Sequence, residues 1–469
     1  MSHMIRSISG VRGVVGADQS WTPTLVANHI IAFTQLLESS HYNQNQKKIV
    51  VGRDSRVSGP WFEMITNGSL ISRGYQVIHI DIASTPTVQY MVEKTKSSGG
   101  IVITSSHNPI EWNGLKFIGP DGLFIAPKEC EILFSMADKP EEFKFSGYDQ
   151  LGKIEKCVDA NQQHVGAILS LAFLDISKIR ERRFKVCLDS VNGAGGPIMS
   201  YLLTQLNCEV IGINLETTGL FAHTPEPVPS NLGQLCEMVV KYKADFGIAV
   251  DPDVDRCVFI DEHGKPLGEE YTLAMAVELV LGDCGRRGNV CKNLSSSRAI
   301  DDICKKYESQ VICAPVGEIQ VAKKMQQVNA VIGGEGNGGV MLPDIHIGRD
   351  APVAATLALQ LMANRYSQAP SISKLKETLP TYEIVKLKAG IEGLDPDSIL
   401  AEYTSQFINK PGVVINQEDG LKIDSQDWWV HLRKSNTEHI IRVIAEAKSV
   451  KEATDIATKF IQEIESKRK

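Results

Sequence analysis

The sequence lacks several features that would each have fixed its class. No apolar run in its 469 residues approaches the roughly 20 needed to span a bilayer, and its start carries no signal-peptide apolar core. The 10 cysteines lie singly between Cys130 and Cys313 with no CxxC pair, which argues against a disulfide framework and fits reduced, mostly buried thiols in the cytoplasm. Nor is there a basic excess: a net charge of -7 gives no general attraction to nucleic acid or anionic membrane, although a local basic pocket can hide within it. What is present, 43% hydrophobic and 22% charged residues, describes a soluble globular protein. The chain is too long for one core and implies three or four domains. Met1-Ser2-His3 reads as a vector remnant ahead of a native start at Met4.

Short apolar β runs end repeatedly in polar or glycine-rich tips. Ile49–Val51 precedes GRDSR, Ile101–Ile103 precedes TSSHNP, Val186–Leu188 precedes DSVNGAGG, Gly247–Val250 precedes DPDVDR, and Val331-Ile332 precedes GGEGNGG. Helix-like segments intervene at Thr24 to Glu38, Gly166 to Leu174, Gln234 to Lys243 and Glu270 to Val280. This alternation predicts α/β domains, in which ligands collect beyond the carboxyl ends of strands, so the polar tips are the candidate site loops. Polar Gly- or Pro-bearing connections place boundaries near 155, 263 and 375, giving segments 1–155, 156–263, 264–375 and 376–469. The last segment, with strand-like Val413–Ile415 and Trp428–Leu432 and a closing helix at Val450 to Ile464, predicts a smaller α+β domain.

Four loops carry chemistry. In DPDVDR, Asp251, Asp253 and Asp255 alternate directly after an apolar strand, the oxygen donors a hard cation such as Mg2+ takes. The competing readings are an EF-hand, opposed by Arg256 where that loop needs glycine, a phosphatase with Asp251 as nucleophile, and a solvated acidic turn. In GGEGNGGV, Glu335 and Asn337 stand among glycines that allow close approach of a ligand, and both could take vicinal sugar hydroxyls; the plain alternative is a flexible turn. Arg433, Ser435, Asn436 and Thr437, with Arg442 beyond them, read as a phosphate cradle or as a helix N-cap. In TSSHNP, Ser106 and His107 are neighbours whose side chains diverge on an extended chain, so they are not a ready dyad; a phosphorylatable Ser106 fits better. Lys116 is a proton carrier if its surroundings lower its pKa, and otherwise a solvated lysine.

In this order the four loops resemble those of the α-D-phosphohexomutase superfamily, over nearly the whole chain. Thr104 to Pro109 matches TxSHNP, Asp251 to Arg256 matches DxDxDR, Gly334, Glu335, Asn337 and Gly338 answer GExSG, and Arg433, Ser435, Thr437, Glu438 and Arg442 answer RxSxTE with its following Arg. Gly10–Gly13, Asn113-Gly114, Lys116, Asn192–Gly196, His223-Pro225-Pro227 and Gly348–Asp350 are secondary matches. The resemblance implies three related α/β domains with mixed sheets and a fourth, TATA-binding-protein-like α+β domain, each giving one loop to a central cleft. It implies phosphate exchange between O1 and O6 of a hexose. Ser106 is then the phosphorylated residue and, with Asp251, Asp253 and Asp255, holds Mg2+. Arg12 and Arg256 stabilise charge, Lys116 is the acid/base, Glu335 and Asn337 hold the sugar, and Arg433, Ser435, Asn436, Thr437 and Arg442 grip the idle phosphate.

Further implications are a catalytic hexose bisphosphate as activator, phosphorylated hexoses as partners, no nucleic acid or membrane, and a monomer or homodimer. Asn337 stands where many members have Ser, Gly339 where they have His, His439 where Pro is usual, and Pro252 where Gly is commoner. The GEGNGG form points toward glucosamine phosphate. The alternatives are a phosphomannomutase or phosphoglucomutase, a metal-dependent sugar phosphatase, and a sugar-phosphate sensor without turnover.

Overall fold

β-Branched runs bounded by turn residues form strands, and four sheets follow one another along the chain. A computed structural model describes residues 4–16, 20–39, 46–435 and 439–467. The first three sheets repeat one topology. In the first sheet, Lys48–Arg53 lies between two parallel neighbours, Gln76–Ile82 and Gly99–Ile103, and Gly99–Ile103 returns antiparallel into Trp112–Ile118. In the second, Lys185–Asp189 lies between Glu209–Ile213 and Phe246–Val250, which returns into Cys257–Ile260. In the third, Val290–Asn293 lies between Val311–Ala314 and Ile332–Glu335, which returns into Gly339–Met341. Every returning turn holds one of the motifs: 104–111, 251–256 and 336–338. Since the third strand is central and buried, the residues after it are delivered to one rim of each sheet.

The fourth sheet is antiparallel throughout, in the order Glu383–Gly390, Ile440–Ala447, Trp429–Lys434, Leu421–Asp424, Val414–Asn416. It keeps its own core against the helices Pro396–Phe407 and Val450–Glu465. A single core, by contrast, runs from Val165 to Leu379 through the second and third units. Asp350 ties the units further: one oxygen caps the helix Ala351–Arg365, and the other stands 2.8 Å from His164 Nε2 and 2.9 Å from His346 Nε2. Among the described residues no helix is long and apolar enough to cross a membrane.

Two local expectations are corrected. The helix placed at Gly166 to Leu174 is Ala160–Leu169, starting after Asp159 and ending where Ser170 and the turn beyond it leave helical geometry. No helix follows the helix start read into Ser-Asn-Thr-Glu, of which Asn436 to Glu438 lie outside the described residues: the next element is the strand Ile440–Ala447, which pairs with Trp429–Lys434 and sets Arg433 directly opposite Arg442. β-Branched and apolar residues at Ile440, Ile441, Val443 and Ile444 favour the strand.

Candidate active site

The turn 104–111 is built around a buried arginine. Arg56 Nη2 donates to the carbonyls of Ser106 (2.6 Å) and Asn108 (2.7 Å), and Nη1 to those of Pro109 (2.7 Å) and Trp112 (2.8 Å). Asp54 pairs with Arg56 at 3.1 Å and accepts from Thr104 Oγ1 at 2.6 Å, while Thr104 Oγ1 accepts the Ser106 N–H at 2.9 Å. This support holds Ser106 at φ 49, a left-handed conformation unusual for serine. The chain is therefore not extended here, and the expectation that Ser106 and His107 diverge is overturned: Ser106 Oγ lies 3.3 Å from His107 Nδ1. The Ser106 hydroxyl also donates to Asp251 Oδ2 at 3.2 Å.

His107 is nevertheless a poor base. Burial, then the guanidiniums of Arg256 and Arg12, push its pKa down to about 2, and Arg256 Nη2 occupies its Nδ1 at 3.2 Å. Burial likewise holds His29 and His431 down at about 4. For all three the folded pKa lies below the ordinary 6.5, so the unfolded chain binds protons that the folded chain refuses. Their contribution is complete above about pH 6.5 and is lost as pH falls, each by about 1.4 kcal/mol per unit. A His29→Gln, His431→Gln double variant is expected to show a shallower loss of urea midpoint between pH 6.5 and 4; an unchanged slope refutes the assignment.

The second turn gathers three carboxylates with no exposure to solvent. Asp251 Oδ1 accepts the N–H groups of Asp255 (3.1 Å) and Arg256 (3.2 Å), which turns its other oxygen toward Ser106. Val254, between the acids, sits at φ 63, an outlier for a β-branched residue. The neighbouring NGAGG turn crosses so closely that a Cβ at Gly193 would lie 2.6 Å from Pro252 Cα, hence the glycine. One ligand oxygen from each of Asp251, Asp253 and Asp255 lies within 4.8 Å of the others. Asp253 Oδ1 and Asp255 Oδ1 are buried and accept no hydrogen bond. Burial and the charges of Asp255 and Asp253 raise the Asp251 pKa well above the carboxylate range. Crowded, desolvated oxygens with unused lone pairs fit a hard divalent cation such as Mg2+.

Lys116 is not the solvated lysine of the bland reading. It is buried in the strand Trp112–Ile118, 2.6 Å from Asp253 Oδ2 and 3.5 Å from Asp255 Oδ2. Burial lowers its pKa, but the two carboxylates outweigh burial and hold it above the ordinary value. The lowered pKa proposed from sequence is thus absent in this arrangement. Arg12, on the adjoining strand Gly10–Val14, reaches Asn108 Oδ1 at 3.2 Å.

Glu335 ends the strand Ile332–Glu335, buried, with Oε1 accepting from Asn293 (2.8 Å) and the Gly317 N–H (3.0 Å) and Oε2 from Arg349 (2.9 Å). Asn337 lines a cleft of about 630 Å³ together with His107, Arg256, Arg433 and Arg442. Residues from all four sheets and their turns therefore meet in one cavity. Ser435 follows Arg433 on the hairpin, and its N–H donates to the Ile440 carbonyl at 3.0 Å; Asn436, Thr437 and Glu438 lie outside the described residues.

The sequence marked Arg349 only within a secondary match and gave it no role. Its guanidinium donates to Asp255 Oδ2 (2.6 Å), Glu335 Oε2 (2.9 Å) and Glu318 Oε2 (3.2 Å), joining the second and third turns. The signal was the secondary match Gly348-Arg349-Asp350. Arg56 and Asp54, the supports of the Ser106 turn, were missed in the same way.

With the geometry established, comparison with known proteins is direct. The four family models for phosphoglucomutase/phosphomannomutase match in order: alpha/beta/alpha domain I over residues 4–143, domain II over 162–264, domain III over 268–382 and the C-terminal domain over 387–463. A phosphoglucomutase/phosphomannomutase of Thermococcus kodakarensis is 36% identical over 97% of both chains. A phosphoglucosamine/phosphogalactosamine mutase of Sulfurisphaera tokodaii is 33% identical over 98% of both. The structure of a phosphoglucomutase/phosphomannomutase family protein from Burkholderia thailandensis superposes with a TM-score of 0.84 at 22% identity, covering 98% of this chain and 97% of that one, a likeness of fold. The order of the four domains, the mixed sheets and the full-length relatives agree, and the chain belongs to the phosphoglucomutase/phosphomannomutase family of phosphohexomutases, which are isomerases.

Proposed function

We propose that the chain interconverts hexose 6-phosphate and hexose 1-phosphate through phosphorylated Ser106 and a sugar bisphosphate, with glucosamine 6-phosphate as preferred substrate. The observation that carries this reading is the hydrogen bond from Ser106 to Asp251 of a buried three-carboxylate turn, beside a cleft that also contains Arg433 and Arg442. A hexose hydroxyl attacks the phosphorus on Ser106 as the P–Oγ bond breaks. Lys116, held cationic by Asp253 and Asp255, gives a proton to the departing Oγ; its neutral amine then takes the proton of the attacking hydroxyl. Arg12 and Arg256 stand where charge accumulates on the transferred group. Asp251, Asp253 and Asp255 would hold Mg2+, which when bound neutralises charge on the phosphoryl oxygens. Glu335 and Asn337 would hold the sugar's O3 and O4 hydroxyls, a role supported by the 3.5 Å contact between them, while Arg349 steadies Glu335 at 2.9 Å.

Arg433, Ser435, Asn436, Thr437 and Arg442 grip the phosphate that stays, so one cradle serves both substrate orientations. A hexose bisphosphate that dissociates before completing its turn returns as activator. The leaning toward an amino sugar rests on the Sulfurisphaera relative and on the GEGNGG form of the third loop. Phosphomannose and phosphoglucose remain a second reading, favoured by the name of the Thermococcus relative. The test compares kcat/KM for glucosamine, mannose and glucose 6-phosphates with catalytic bisphosphate present. Glucosamine 6-phosphate is expected to lead by about tenfold in kcat/KM, which is about 1.4 kcal/mol of differential transition-state binding. Chelation is expected to remove turnover and Mg2+ to restore it. Equal or better use of mannose or glucose 6-phosphate sinks the sugar assignment, and phosphate release without an isomeric product sinks the mutase.

A further inference from the structure

A strap of chain from Gly219 to Val228 crosses from the second sheet onto the supports of the Ser106 turn. The Phe221 ring covers the Arg56 guanidinium at 4.9 Å, and Asn192 Nδ2 donates to the Leu220 carbonyl at 2.8 Å. Farther along, His223 Nε2 stands 2.9 Å from Asp189 Oδ2, and its Nδ1 stands 2.9 Å from the Thr224 carbonyl. Prolines on both sides stiffen the backbone at Glu226, whose carbonyl accepts the Val228 N–H and Asn231 Nδ2, each at 2.9 Å. The strap thereby carries the Glu226 carboxylate to the cleft on a backbone that is already ordered. The match His223-Pro225-Pro227 marks this stretch in the sequence but gives none of its residues a role.

At the cleft the carboxylate meets Arg256. Glu226 Oε1 accepts from Arg256 Nη1 at 3.3 Å, and Arg256 Nη2 donates to His107 Nδ1 at 3.2 Å, an atom that itself lies 3.3 Å from Ser106 Oγ. Among the described residues the guanidinium has no other hydrogen bond: Nε is buried without one, and Asp255 Oδ1 stands 3.8 Å from it. Asp251, Asp253 and Asp255 thus attract Arg256 from one side, and Glu226 is the acid that holds it from the other. We propose that Glu226 is a positioning residue, which anchors Arg256 from the cleft side so that its guanidinium stays beside the Ser106 oxygen to meet the transferred phosphoryl group. The Glu226 side chain is 41% exposed, so the pair is screened by water and acts on the direction of Arg256 more than on stability. The inference rests on the phosphosugar reading above.

The test compares the full chain carrying Glu226→Ala or Glu226→Gln with the wild type. Steady-state kinetics use the hexose 6-phosphate that the wild type turns over best, and single turnovers follow, by intact mass, the transfer of phosphate from glucose 1,6-bisphosphate to Ser106. Glu226→Ala is expected to slow the transfer and kcat about tenfold, part of the roughly 10²–10³ that outright loss of a charge-stabilising donor costs, while KM stays within about twofold. Glu226→Gln keeps an acceptor at the same reach and is expected to recover the rate to within about threefold of wild type. Both variants are expected to match the wild-type thermal midpoint, which separates a lost aim from a lost fold. Transfer by Glu226→Ala at the wild-type rate overturns the role, and so does a KM that rises as far as kcat falls, the mark of direct substrate contact; in either case the mutase reading stands. If wild-type Ser106 takes no phosphate from the bisphosphate, the phosphosugar reading falls and this role with it.

Discussion

Ser106→Ala is expected to lower kcat for isomerisation by about 10⁵-fold, the scale on which removal of a covalent nucleophile acts. The hydroxyl's contacts are Asp251 Oδ2 at 3.2 Å and His107 Nδ1 at 3.3 Å, so the folded state loses only about 1–2 kcal/mol and the loss of activity is not unfolding. Active wild-type protein is expected to carry one phosphate by intact mass, and the alanine variant none. The neighbouring imidazole offers no rescue, because His107 is held neutral and its Nδ1 already faces Arg256. A fully active alanine variant would remove Ser106 from the mechanism.

The second large effect falls on stability. Arg349 is the shared partner of Asp255, Glu335 and Glu318, all of them nearly or wholly buried. Burial alone would lower its pKa, but the three carboxylates hold it well above the ordinary arginine value. Arg349→Met leaves these acids without their common counter-charge and is expected to cost about 3–5 kcal/mol, the range for breaking a buried ion pair from one side. Arg349→Lys, with one ammonium in place of a three-way fork, is expected to fall between the two. The measurement is the urea midpoint near neutral pH. A midpoint within experimental error of wild type for Arg349→Met refutes the role.

How far the sequence carried can be judged from individual residues. The alternation of β runs and helices gave the fold class, and polar tips after apolar strands marked the site loops, because both signals are local. The kinship of the first three domains came only through the family resemblance, since strand order is set by contacts between distant segments and not by periodicity. Ser106 and the three aspartates stood out through dense local motifs. Arg349 did not, because its acids lie 94, 31 and 14 residues away in the chain. Two errors share a cause: the Ser106–His107 divergence and the helix start at Ser435 both assumed ordinary backbone geometry, which tertiary support from Arg56 and strand pairing with Glu383–Gly390 overrode. The raised pKa of Lys116 belongs with them, as Asp253 lies 137 residues downstream.

That the acids of the second turn are neutralised from both sides of the chain has a consequence for synthesis. Lys116 is already made when Asp255 leaves the ribosome, but Arg349 follows 94 residues later. At the about 5–20 residues per second of translation, the nascent turn waits roughly 5–20 s without the Arg349 counter-cation. During that interval Asp255 keeps Lys116 and Arg256 but lacks its 2.6 Å partner, and the core running from Val165 to Leu379 is incomplete. A chain released before Arg349 therefore carries Asp251, Asp253 and Asp255 without the cation that joins Asp255 to Glu335 and Glu318.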